Sequence, residues 1–323
     1  MRTSHVVKSA QKRALLALGK RTPLRVTQAI TYRCNLQCRF CEVSDKKMRE
    51  LSTAEIKEAM LIFKQMGCIG WGFTGGEPLL REDLVELLRY AKECHFATSL
   101  VTNGTLTQKV ALLEKELIDF VMLSLDGDRE SMERIRGKGT YDKVLAALAI
   151  LSKKNIKTCL STIVDGYSQN LIKHVIQVSK EYGVFSSFQP IFDWQTGRED
   201  AQLLSAAEKL EQYRKNIDYL IAEKKGGARI WNSLGYLRYI RDYGAVKKGK
   251  CYAGLLYVMM DPQGLLHNCW WQGNKVHYQD VREAFAKLPH PPKSCYCFPW
   301  CHKEYSEVFS LRPQALWNTL KQL

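Results

Sequence analysis

The chain has 323 residues, 46% hydrophobic and 25% charged, the balance of a globular protein able to bury a substantial core. It holds no apolar run of the ~18–20 residues a membrane-spanning helix requires, and the apolar run at 14–18 in its basic N-terminus is too short for a signal-peptide core. Lys and Arg number 48 against 33 Asp and Glu, a net charge of +15 that favours anionic partners or simply solubilises the surface.

The basic residues are dispersed and accompany no helix-turn-helix or RNA-binding signature, which sets nucleic acid aside. We expect a cytoplasmic protein. Residues 1–23 read as a basic amphipathic helix, with Val7, Ala10, Ala14 and Leu18 along one side and Lys8, Lys12, Arg13 and Lys20 around them. Such a face packs on a neighbouring domain, or gives peripheral contact with an anionic membrane surface, where a lipid substrate would become accessible.

From Arg25 onward, short apolar runs alternate with helical ones. The run 25–32 predicts a strand, 52–67 a helix with a Ser/Thr cap and Glu55 early, and 68–76 a second strand entering a glycine turn. Helix 81–94, strand 97–104, helix 108–116, strand 118–127, helix 141–154, strand 156–164, helix 170–183 and strand 184–192 follow, then a charged helix near 204–224. Six strand–helix units predict a parallel sheet, with chemistry on loops at the carboxyl ends of strands. The expected fold is α/β, a partial (β/α)6 TIM-like barrel over residues 24–225. Residues 226–323 form a linker, starting near "KKGGAR", and a small cysteine-rich domain.

There are 11 cysteines, an odd number: three at 34–41, five at 251–301, and Cys68, Cys94 and Cys159 apart. Clustered thiols in a reducing compartment point to metal ligands rather than disulfides. The isolated three read as small buried apolar residues. Cys34, Cys38 and Cys41, after the first strand, have C-x3-C-x2-C spacing. Three thiolates do not close a zinc tetrahedron, and a cubane iron–sulfur cluster takes four, so one iron is left for another ligand. Phe40, beside Cys41, can pack against a flat ring. After the second strand, Gly75 and Gly76 let a backbone approach closely, and Glu77 can accept from an ammonium group.

The cysteine loop after strand one, followed by "GGEP" after strand two, resembles the radical S-adenosylmethionine (SAM) superfamily, over roughly residues 25–200. The resemblance implies that Cys34, Cys38 and Cys41 hold a [4Fe–4S] cluster whose open iron is chelated by SAM. Reductive cleavage of SAM then gives a 5′-deoxyadenosyl radical that abstracts hydrogen from a substrate. It further implies that Gly75, Gly76 and Glu77 hold the SAM amino end. Asn103 in "TNG", Ser124 in "SLDG" and Arg136 in "RIRGKGTYDKV" are looser matches to SAM contacts; otherwise they are a turn asparagine, a strand-end hydroxyl and a surface arginine. An electron donor such as flavodoxin or ferredoxin is implied too.

In the tail, "LLYVMMD", a "PQG" turn and "LLHN" read as a hairpin bringing Cys251 and Cys269 together, with Cys295, Cys297 and Cys301 downstream. Four thiolates suit zinc. Beside a radical SAM barrel, the pattern resembles the SPASM and twitch domains, implying a second, auxiliary [4Fe–4S] cluster. Five cysteines against the seven of a full SPASM domain favour the twitch form, held by Cys251, Cys269, Cys297 and Cys301 with Cys295 spare. Trp270 and Trp271 are candidates for a pocket wall, or core residues. The substrate is a small molecule, lipid or peptide. Only 33 residues precede Cys34, too few for a fused peptide-recognition module, though a separate protein could supply one. The terminal "LKQL" lacks the double glycine of the GTP-cyclising relative. The rival class is a non-catalytic iron–sulfur or zinc protein.

Overall fold

A computed structural model of the protein describes residues 22–41, 43, 48–164, 169–191, 206–242, 252–268 and 275–285. Strands β1 (Arg25–Thr31), β2 (Gly70–Gly75), β3 (Ala97–Thr102), β4 (Phe120–Ser124), β5 (Thr158–Val164) and β6 (Phe185–Pro190) pair in parallel in chain order. Between them run helices α1 (Thr53–Gln65), α2 (Leu84–Glu93), α3 (Thr107–Val110), α4 (Arg129–Arg136), α5 (Thr140–Lys153) and α6 (Asn170–Glu181). Helices α7 (Ala207–Lys225) and α8 (Leu234–Arg241) follow β6. The six expected strands and the alternation with helices are present.

Period-two burial gives the sheet two unlike faces. Val26, Ile30, Trp71, Phe73, Leu100, Val121, Leu123 and Leu160 are fully buried on one core-facing side. The alternate residues Thr27, Thr74, Ser99, Met122, Ser161 and Gln189 are only half-buried. Trp71 anchors the core between Phe63 and Phe96, with ring centroids 5.7 and 5.6 Å away, and donates through Nε1 to Gln28. Cys68, Cys94 and Cys159 are buried, as expected of small apolar residues.

The cap on α1 forms as its sequence dictates. Ser52 Oγ accepts from the Glu55 amide, and the Glu55 carboxylate accepts from the Ser52 amide at 2.8 Å. The expected helix 108–116 does not: α3 is a single turn, because the Lys154 ammonium takes the carbonyls of Ala111 and Leu113 at 2.7 and 2.9 Å. Helices α4 and α8 were not legible in the hydrophobic period. The sequence 129–136 is mostly charged, with only Met132 and Ile135 buried.

The hairpin forms, and it sits in the main sheet. Strand β7 (Tyr257–Met260) pairs antiparallel with β8 (Leu265–His267), which pairs with β9 (Lys275–His277). But β7 also lies parallel beside β1, with Arg25 opposite Tyr257 and Gln28 opposite Met260. The hairpin therefore extends the main sheet, whose order is β6-β5-β4-β3-β2-β1-β7-β8-β9. The barrel is partial: among the described residues β6 does not return to β1. No helix among them is long and apolar enough to cross a membrane. The N-terminal amphipathic segment, Cys251, Cys269, Cys295, Cys297, Cys301, Trp270 and Trp271 lie outside the described residues.

Candidate functional site

The loop leaving β1 carries Cys34, Cys38 and Cys41, all half-buried. It is tied down along its length. The Gly76 and Glu77 amides donate to the carbonyls of Thr31 and Arg33 at 2.8 and 2.9 Å. The Arg33 guanidinium grips Glu50 at 3.0 and 3.1 Å. Behind them, buried Arg81 donates to the carbonyls of Ile30 and Leu51 and pairs with Asp83 at 2.6 Å. On the far side, the Arg39 amide donates to the carbonyl of Ile135, near the end of α4.

Two donors face the cysteine sulfurs. Asn103 Nδ2 lies 3.9 Å from Cys34 Sγ and also donates to Asn35 at 3.0 Å. Arg136 Nη1 lies 3.9 Å from Cys38 Sγ, its Nε donates to Asp126 at 2.6 Å, and its guanidinium stands 5.4 Å from the Phe40 ring centroid. Burial raises the Cys34 thiol pKa, and raises that of Cys38 to about 11 despite the Arg136 charge. Both sulfurs thus need a further positive centre to hold them as thiolates.

The glycine turn works differently from its sequence reading. Gly75 has φ +129°, and a Cβ there would stand 2.0 Å from the Thr31 carbonyl oxygen; at Gly76 it would stand 2.2 Å from that of Arg33. The close approach is to the protein's own cysteine loop. The Glu77 carboxylate is fully buried and accepts from the Leu79 amide, the Thr102 hydroxyl and the Asn103 amide at 3.0, 2.8 and 2.7 Å. Its side chain is committed to these donors, so what the turn can offer a ligand is main chain. Ser124 closes β4 opposite Ser161, nearly buried. Phe40, Asn103 and Arg136 are brought to the cysteines.

Asp126 was missed by sequence reasoning. It stands two residues beyond Ser124, fully buried, and accepts from both Arg136 and the Ile163 amide. An acid closing an apolar strand was the available signal. Asn35 and Thr105, which link the cysteine loop to the Asn103 turn, and Thr102, which donates to Glu77, carried none.

Among the described residues, no three His, Cys, Asp or Glu side chains converge on a point suited to one metal ion. A single zinc gathers its thiolates at ~2.3 Å from one centre, whereas an iron–sulfur cluster takes each thiolate on a different iron. Three spaced sulfurs on one loop, with an amide and a guanidinium facing two of them, fit the cluster.

Comparison with known proteins agrees. Residues 29–177 match the model of the Radical SAM superfamily, a span that includes all three cysteines. The chain is 30% identical to the mycofactocin maturase MftC of Mycolicibacterium smegmatis, over 86% of this chain and 76% of that protein. It is 28% identical to the PqqA peptide cyclase of Gluconobacter oxydans, over 76% and 70%. The structure of Streptococcus suis SuiB bound to S-adenosylmethionine shares the fold, with TM-score 0.66 at 18% identity over 88% and 71% of the two chains. The chain belongs to the radical SAM superfamily and is an enzyme of that class.

Proposed function

We propose that Cys34, Cys38 and Cys41 hold a [4Fe–4S] cluster, that SAM binds its open iron against the main chain of the turn 75–77, and that the enzyme modifies a peptide. The observation that carries the reading is the facing of Cys34 by Asn103 and of Cys38 by the Arg136–Asp126 pair, at the strand ends of a chain 30% identical to a maturase. When bound, the cluster and SAM supply reductive cleavage to a 5′-deoxyadenosyl radical able to take a hydrogen atom. The protein's own part is to position and to exclude. Asn103 and Arg136 place donors toward the sulfurs, Phe40 covers the guanidinium, and buried Glu77 fixes the turns after β2 and β3 against each other.

Peptide is preferred over small molecule or lipid because two relatives carry the names of a maturase and a peptide cyclase. An auxiliary [4Fe–4S] cluster on Cys251, Cys269, Cys297 and Cys301 belongs to the same proposal. The contact of Gly254 with Asn268, where a Cβ on the glycine would stand 2.4 Å from that of Asn268, supports it by bringing together chain segments just inside Cys251 and Cys269. A flavodoxin or ferredoxin in the cytoplasm would deliver the electron.

Anaerobic reconstitution should give about eight irons per chain and, with dithionite and SAM, release of 5′-deoxyadenosine. Full iron loading without any release of 5′-deoxyadenosine would overturn the catalytic reading. A colourless zinc-loaded tail would overturn the auxiliary cluster.

A further inference from the structure

A closed barrel of parallel strands fills its interior with layers of bulky branched side chains. The half-buried face of this sheet instead mixes Thr27, Thr74, Ser99, Ser161 and Gln189 with the larger Val101, Met122 and Ile163, all in reach of solvent. It is a cleft, and the cysteine loop stands at its upper end. Its lower end is closed under β4 and β6 by the Trp231 ring, 5.0 and 5.1 Å from Phe120 and Phe185.

One charged residue stands on the seven strands β1–β7, and it is Arg25. It shares the cleft face with Thr27. Its Nη2 donates to Ser99 Oγ, while its Nε is buried without a hydrogen-bond partner. No carboxylate pairs with it among the described residues. The strand beside it is cut away to make room: a Cβ at Gly70 would stand 3.0 Å from Arg25 Nη1, and one at Gly72 would stand 2.9 Å from Nη2. Glycine within a strand costs stability and marks close approach by another group. Here the group is a guanidinium, not backbone.

A cation half-withdrawn from water and left unpaired is unfavourable unless a ligand completes it. A guanidinium has five donors in a planar fork suited to a carboxylate or phosphate. Strands β1–β7 carry no second cation, and Lys157 and Arg229 at the lower end lie over the Trp231 and Phe185 rings, so a singly charged carboxylate matches Arg25 better than a phosphate. Gly72 pairs with Thr27, which puts the guanidinium about four strand residues, or ~13 Å, below Thr31 and the cysteine loop. A group bound there belongs to a molecule reaching down the cleft from the cluster end.

We propose that Arg25 is the receptor for a carboxylate of the substrate, placed on the floor of the cleft by Gly70, Gly72 and Ser99. The proposal rests on the peptide-modifying reading above, in which the carboxylate is an acidic side chain or a chain terminus.

Three probes of nearly one shape separate these sources: N-acetylglutamic acid α-amide carries the side-chain carboxylate, N-acetylglutamine the terminal one, and N-acetylglutaminamide neither. Binding to the reconstituted full chain is followed by saturation-transfer NMR without reductant. The wild type should bind one charged probe at least tenfold more tightly than the neutral one, and Arg25→Gln should erase the difference. Gly72→Ala, which crowds Nη2 by one methyl group, should weaken it too, and serves alone if Arg25→Gln does not fold by circular dichroism. Equal binding of all three probes by the wild type, binding of none, or a preference that survives the variant that folds overturns the proposal. Release of 5′-deoxyadenosine by the same wild-type preparation reports separately on the underlying enzymatic reading.

Discussion

Arg136 and Asp126 form a pair 2.6 Å apart in which the carboxylate is wholly buried and the guanidinium nearly so. The pair joins the end of β4 to the end of α4, and Arg136 passes the restraint on to Cys38 and Phe40. Removing the acid alone strands a buried cation. Asp126→Ala should therefore lower stability by about 3–5 kcal/mol, read as a shift in the urea midpoint. Arg136→Met added to Asp126→Ala should recover part of that loss. A double variant no more stable than Asp126→Ala would show that the cost lies in packing and not in charge.

Glu77 makes stability depend on pH with an unusual sign. Burial pushes its pKa up to about 7, against the pull of the Asn103 and Leu79 amides, the Thr102 hydroxyl and the Arg136 charge. An unfolded chain releases that proton near the ordinary glutamate value of 4.5. Between these values the folded state binds more protons at this site, so the contribution of Glu77 to stability is fully present below pH 4.5 and is lost as pH rises through 7, by about 3 kcal/mol in all. Glu77→Gln should flatten this slope, and should cost about 1–3 kcal/mol at pH 5, where a single carbonyl oxygen faces three donors. Urea titrations at pH 5 and pH 7.5 test both; an unchanged slope in the variant would assign the pH dependence to another group.

What the sequence made legible was local. Strand period, the Ser52–Glu55 cap, the β7–β8 hairpin and the cysteine spacing each lie within a few residues of chain. What it hid was non-local. Nothing in "LLYVMMD" shows that it lies beside β1, because a fully apolar strand suits either edge of a sheet or a separate domain. The glycines of "TGGEP" were legible as a demand for close approach, but not the identity of what approaches. Glu77 read as an acceptor for an ammonium group, as its type and the family resemblance imply; only the fold shows three donors closing over it.

Gly76 tests that reassignment directly. Its conformation is open to other residues, so the constraint is space: an added methyl meets the Arg33 carbonyl at 2.2 Å. Gly76→Ala should push the turn off the cysteine loop and break the Glu77 amide bond to Arg33. We expect a loss of about 1–3 kcal/mol and reduced iron retention on gel filtration. If the turn served only a ligand, Gly76→Ala would keep wild-type stability in the metal-free protein.

Replacing Cys34, Cys38 and Cys41 together by alanine separates the two cysteine groups. The three side chains sit half-buried at a strand end rather than in the hydrophobic core, so the metal-free fold should change little by far-UV circular dichroism. The replacements at Cys34 and Cys38 also remove sulfurs whose ionisation is opposed by burial. If the tail holds its own cubane, reconstitution should fall from about eight irons to about four, with loss of all 5′-deoxyadenosine release. The remaining absorbance near 400 nm would then belong to the tail. A variant that binds no iron at all would show that the tail cysteines do not assemble a cluster alone, and a variant that still cleaves SAM would remove the three cysteines from the site.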